Sequence, residues 1–151
     1  MTRVFSSLDE FAAATGQHLG HSDWHTITQD QVNTFADATG DHQWIHVDIE
    51  KAGKGPFGAP IAHGFLTLSL IPLLAQRTYR VDGLSMGINY GLNKVRFPQP
   101  VKVGAKVRGG AELVEITDVP GGKQAVVRWR IEIDGEPKPA CVAEFVGRLL
   151  A

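Results

Sequence analysis

The chain has 151 residues, 43% of them apolar and 21% charged, with a formal charge of -1; this fits one globular domain with a real core and excludes a disordered or fibrous chain. Near-zero net charge gives no general electrostatic reason to bind nucleic acid or an anionic membrane. The longest largely apolar run, Phe65 to Ala75, is too short to span a bilayer, and the first residues lack the basic and apolar segments of a signal peptide, so a cytoplasmic protein is expected.

Ser7-Leu8-Asp9-Glu10 has capping-box spacing and predicts a short helix to about Thr15, stopped at Gly16. Trp24 to Ile27 reads as a short extended segment. Thr28 and Gln31 repeat the capping spacing, and Val32, Phe35, Ala36 and Thr39 recur at helical intervals, so a second helix lays one face on the core. Gly40 ends it by tolerating a left-handed backbone.

Asp41 follows that glycine, and His46 stands five positions further on. Five glycines or prolines (Gly53, Gly55, Pro56, Gly58, Pro60) then punctuate the chain, leaving room for one helical turn at Asp48 to Ala52. Such a stretch is a functional loop or flap. It closes on Ala59-Pro60-Ile61-Ala62-His63-Gly64, where an apolar helix pattern starts. Gly64 should therefore offer unpaired backbone N–H groups at the positive end of a helix dipole. An acid, an imidazole and an anion site would sit together.

The helix pattern from Gly64 to Ala75 is apolar on almost every side, with Phe65, Leu66, Leu68, Leu70, Ile71, Leu73 and Leu74. It is expected to be buried all round, with Pro72 kinking it or shifting its last turn. Period-two patterning takes over from Ser85: Ala125, Val127, Trp129, Ile131 and Ile133 alternate with charged residues. Val107 to Leu113 and Cys141 to Leu149 give further dry faces, with turns at Pro120-Gly121-Gly122 and Asp134-Gly135. Cys141 is a packing residue in such a strand. Helices followed by strands predict a single α+β domain over residues 1–151, an antiparallel sheet covered by the apolar helix. An open sheet edge invites a second copy, so a homodimer is expected.

The pattern Ala38-Thr39-Gly40-Asp41, His46-Val47-Asp48 and Pro60-Ile61-Ala62-His63-Gly64 resembles the MaoC-like (R)-specific enoyl-CoA hydratases. Asn89-Tyr90-Gly91, Val95-Arg96-Phe97 and Pro100-Val101 resemble that family's later strands, extending the likeness over about residues 28–148. The resemblance implies a single hotdog, a curved antiparallel sheet wrapped around a central helix. It also implies water addition to a trans-2-enoyl-CoA, giving the (3R)-3-hydroxyacyl-CoA in fatty-acid metabolism, without metal or redox cofactor. Asp41 and His46 would hold the water, His46 mainly as base and Asp41 mainly carrying a proton to the α-carbon, an order that the spacing leaves open. The Gly64 amide would stabilise the thioester oxygen. One departure is Gln43-Trp44 where the family usually has Asn-Pro, which bears on the loop's shape and its contact with the acyl chain.

Around this core stand further candidates. Trp44 and a neighbouring subunit would help build the acyl pocket. His63 is expected to bond and fix the loop. Ser69 falls near where some hydratases of this family place a serine, though a serine in an apolar helix equally bonds a carbonyl one turn back. Lys94, Arg96, Lys102, Lys106 and Arg108 are the most basic part of the chain; Arg96 among them suits a nucleotide phosphate. Asp41, His42, His46 and His63 are also metal-ligand types, but Gly40 and Trp44 argue against a helix that would align His42 with His46. Two other functions fit the same fold, an acyl-CoA thioesterase and a non-catalytic acyl-binding or structural subunit.

Overall fold

The structure, a computed structural model, describes residues 2–151. It is an α+β domain, as expected, but strands and helices alternate from the start. β1 (Arg3–Phe5), α1 (Leu8–Ala13), β2 (His18–His21) and β3 (His25–Thr26) lead into α2 (Gln29–Thr39) and two short helices, α3 (Trp44–Val47) and α4 (Ile49–Gly53). Next come α5 (Gly64–Ser69), α6 (Ile71–Gln76), β4 (Tyr79–Val81) and four long strands, β5 (Met86–Arg96), β6 (Lys106–Val119), β7 (Gly122–Ile133) and β8 (Cys141–Leu150).

Both capping serine/threonine residues do what their spacing predicts. Ser7 accepts from the amide of Glu10 and Thr28 from that of Gln31, each at 3.1 Å. Neither glutamic acid nor glutamine closes its box. Glu10 accepts from the amide of Ser6, one residue earlier than expected, and Gln31 meets His25 Nε2 at 3.0 Å. Gly40 closes α2 at φ 84°, a conformation available to glycine without strain.

The large sheet is antiparallel throughout, in the order β2-β6-β7-β8-β5, with β3 also on β6. Strands β1 and β4 form a small parallel pair that the sequence reading missed. Residues 79–81 are thus a strand, and Tyr79 stacks on Phe11 and Trp129. The expected dry faces are largely dry: Val107, Ala111, Leu113, Val127, Trp129, Ile131, Cys141 and Ala143 are buried, while Phe145 and Leu149 of β8 are only partly so. Burial also pushes the Cys141 thiol up to about 11, so it stays protonated as a core group.

The apolar segment over the sheet is two helices meeting at Leu70, with Pro72 in the first turn of the second. A proline there forfeits no helical bond, because first-turn amides have no partner in their own helix. Leu66, Leu70, Ile71 and Leu74 enter the core. The expectation of burial all round fails at Phe65, which is 70% exposed, and at Ser69 and Pro72, because none of the described residues covers that face. Gly109 lets the helix sit close. A methyl added there would stand 2.8 Å from the Trp129 ring and 3.3 Å from Leu74 Cβ.

Strand β5 is one edge of the large sheet, and all its residues but Val95 are exposed. Met86, Ile88, Tyr90 and Leu92 lie along it, with Phe97 just beyond. No helix is long and apolar enough to cross a membrane among the described residues.

Candidate active site

The stretch from Asp41 to Gly64 is more structured than a flap. Asp41 follows the left-handed Gly40 and its Oδ1 accepts the Gln43 amide at 3.3 Å, an Asx-type turn. That turn leads into α3, a single helical turn that begins at Trp44, so His42 lies outside it and shares no helix face with His46, as expected. Asp48 caps α4 by accepting the Lys51 amide at 3.0 Å. The closing segment is pinned on both sides. Ala62 donates to Val101 O and Val103 to Pro60 O, while Ile61 donates to Ile45 O.

Ile61 thereby sets His46. Its carbonyl accepts from His46 Nδ1 at 2.7 Å, so in the neutral imidazole Nε2 holds the free lone pair. Burial of the ring pulls the His46 pKa down. The Ile61 bond partly offsets this; nearby His63 pulls further down and Asp41 opposes it. The net effect is a neutral base at neutral pH. Gln29, which sequence gave no reason to select, donates from Nε2 to the His46 carbonyl at 2.8 Å and ties α3 to α2.

His63, the residue before α5, is buried and lies face to face with His46, ring centroids 3.9 Å apart and planes 24° apart. Its Nε2 donates to the Asp41 carbonyl oxygen at 2.9 Å. Side-chain ligand atoms of Asp41, His46 and His63 lie within 4.8 Å of one another. These donor types suit a metal, but the geometry does not. In-plane lone pairs of two rings inclined by only 24° converge far beyond the ~2.1 Å of a metal–imidazole bond. His42 is not in the cluster: its Nε2 donates to Asp37 Oδ1 at 2.9 Å, and that pairing raises its pKa.

His46 lines a cavity of about 240 Å³ together with Ile61, Ala62, Gly64, Thr67 and Phe97. The Gly64 amide opens α5 and has no acceptor in that helix. Phe97 ring carbons stand 3.2 Å from where a Gly64 side chain would begin, so this wall is built on the absence of one. Ser69 lies in a neighbouring cavity of about 310 Å³ with Leu68, Pro72, Tyr90, Leu92 and Phe145. The carbonyl bond considered for it is made by Thr67 instead, to His63 O at 3.5 Å. Trp44 does not line the His46 cavity. Its ring packs where Gly55 leaves room, under Lys51 Nζ. Arg96 lines a separate cleft with Lys94, Arg128 and Glu144.

Residues 10–134 match the model of the MaoC like domain. The chain belongs to the MaoC-like domain family. It is 57% identical over 150 residues, 99% of each chain, to a protein of Mycobacterium tuberculosis named 3-hydroxyacyl-thioester dehydratase Z. Among solved structures it resembles the (R)-hydratase from A. caviae involved in PHA biosynthesis, with a TM-score of 0.73 and 27% identity over 89% of this chain and 96% of that one. It also resembles a protein of Archaeoglobus fulgius described as a monoamine oxidase regulatory protein, with a TM-score of 0.76 and 26% identity over 99% and 97%. With these MaoC-like neighbours the fold is the hotdog: a curved antiparallel sheet around the α5–α6 segment.

Proposed function

We propose that this MaoC-like chain is an (R)-specific enoyl-thioester hydratase, a hydro-lyase that also runs in reverse as a dehydratase. It adds water to a trans-2-enoyl-CoA to give the (3R)-3-hydroxyacyl-CoA. The observation that carries the reading is His46, its Nδ1 engaged by the Ile61 carbonyl, lining one cavity with Gly64 while one of its ring nitrogens lies within 4.8 Å of an oxygen of Asp41, which stands outside that lining. The relative at 57% identity is a 3-hydroxyacyl-thioester dehydratase, which supports the same chemistry.

Water held between His46 and Asp41 loses a proton to His46 Nε2 as its oxygen bonds to the β-carbon. The electron pair of the double bond moves towards the thioester oxygen, where the Gly64 N–H stabilises the developing charge. His46 hands that proton on to Asp41, which delivers it to the α-carbon from the same face, so the addition is syn and the new hydroxyl keeps its own hydrogen. The carbonyl re-forms and both residues return to their starting state.

We assign the acyl chain to the cavity at Ser69. Arg96, the residue before Phe97 of the cavity wall, and Lys94 are assigned to phosphates of the carrier. Trp44 shapes the loop. A homodimer through β5 would cover Phe65, Tyr90 and Leu92, and a place in cytoplasmic fatty-acid metabolism suits the thioester substrate.

Loss of enoyl-thioester absorbance with crotonyl-CoA and one longer trans-2-enoyl-CoA, with product chirality and free thiol followed together, tests the reading. Double-bond loss to the (3R) product without thiol is expected. Thiol release with the double bond intact would make the chain a thioesterase, and no reaction with either substrate would leave a binding subunit.

A further inference from the structure

We propose that His63 is a positioning residue that holds all three working groups, Asp41, His46 and the Gly64 amide, in register through a single ring and its own backbone. The proposal rests on the hydratase reading above for what those groups do. The contacts themselves stand independently of it.

The carbonyl oxygen of Asp41 can only accept, so the His63 nitrogen 2.9 Å away, Nε2, must carry hydrogen. This bond clamps the loop one peptide from the Asp41 carboxylate. The face of the same ring forms the floor under His46 at 3.9 Å, and Phe35 supports it from α2 at 4.9 Å. The backbone of His63 leads directly into Gly64, and its carbonyl accepts the Thr67 amide at 3.1 Å, fixing the start of α5. One residue thus touches the acid and the base and precedes the oxyanion donor.

The other nitrogen argues that packing is not the purpose. Nδ1 of His63 is buried without a hydrogen-bond partner in a side chain that is 3% exposed. An unpaired buried polar atom costs stability, and a phenyl ring would avoid that cost while keeping the stack. What a phenyl ring lacks is the N–H to Asp41. A role in stability alone would therefore favour phenylalanine here.

Two variants separate the contacts. His63→Phe keeps the flat face and removes the N–H. His63→Gln keeps an N–H near the Nε2 position and removes the face. Each is expected to lower kcat by between about tenfold and about a hundredfold, as misplacement of reacting groups does, with KM within about twofold and the melting temperature little changed. After burial and the Ile61 bond, His63 lowers the His46 pKa further and Asp41 opposes it. Removing His63 is expected to move the acid limb of kcat/KM to higher pH.

The same shift should be visible without substrate, in the titration of the His46 ring followed by nitrogen–proton NMR. If wild type hydrates no enoyl thioester, the functional reading falls, and the NMR midpoint of His46 still decides this inference. Wild-type kcat together with an unmoved His46 titration in either folded variant would overturn it. So would activity losses that track only the fraction of folded protein.

Discussion

The carbonyl oxygen of Ile61 stands 2.7 Å from Nδ1 of His46 and fixes which nitrogen of that ring is free to act. Burial holds the His46 pKa below its usual 6.5. Protonating the ring removes the base, so kcat/KM should fall on the acid side with a midpoint below 6.5. The same shift acts on stability. The unfolded chain takes up this proton near pH 6.5, whereas the folded state resists it, so stability from His46 is fully present above 6.5 and is lost as pH falls through the lower folded value. A pH–rate profile and urea unfolding at several pH values check both, and an acid midpoint above 6.5 would contradict the burial argument.

Asp41→Asn separates acid-base work from folding. The asparagine side-chain oxygen can still accept the Gln43 amide, so the turn into α3 should survive. Turnover with crotonyl-CoA should drop by about a hundredfold or more while the melting temperature stays put. Near wild-type turnover would remove Asp41 from the mechanism.

Gly109→Ala tests the packing of helix on sheet. The new methyl would meet the Trp129 ring and Leu74 Cβ, both buried in the core. Overpacking of this kind costs about 1 to 3 kcal/mol, measurable as a lower urea midpoint at unchanged slope. Activity per folded molecule should be retained, because Gly109 lies outside the His46 cavity.

Leu92→Lys tests the open edge. Leu92 is 43% exposed on β5, beside the similarly exposed Tyr90. A charge there should be harmless to a monomer and should block pairing of two edges. Light scattering is expected to show twice the chain mass for the wild type and the single chain mass for the variant. A monomeric wild type would rule out the homodimer.

Exhaustive chelation should leave full activity, since the stacked rings of His46 and His63 cannot direct their lone pairs at one ion. Loss of activity restored by zinc would show that the rings reorient to bind it.

Much of this was legible in the sequence, because much of it is local. Ser7, Thr28 and Gly40 act within a turn of themselves, and the alternation from Ala125 to Ile133 declares a dry face without reference to any partner. The motif residues Asp41, His46 and Gly64 were also legible, through their resemblance to a family. Tertiary structure alone decided how they are held. Ile61 selects the His46 nitrogen across 15 positions, Gln29 reaches the His46 carbonyl across 17, and His63 reaches Asp41 across 22. It also turned His42 away to Asp37, placed Trp44 over Gly55 and left Phe65 uncovered. Periodicity and capping report what a residue does to its own few neighbours. Hydrogen-bond partners and ring stacks depend on which distant segments the sheet and helices bring together, and no local pattern carries that information.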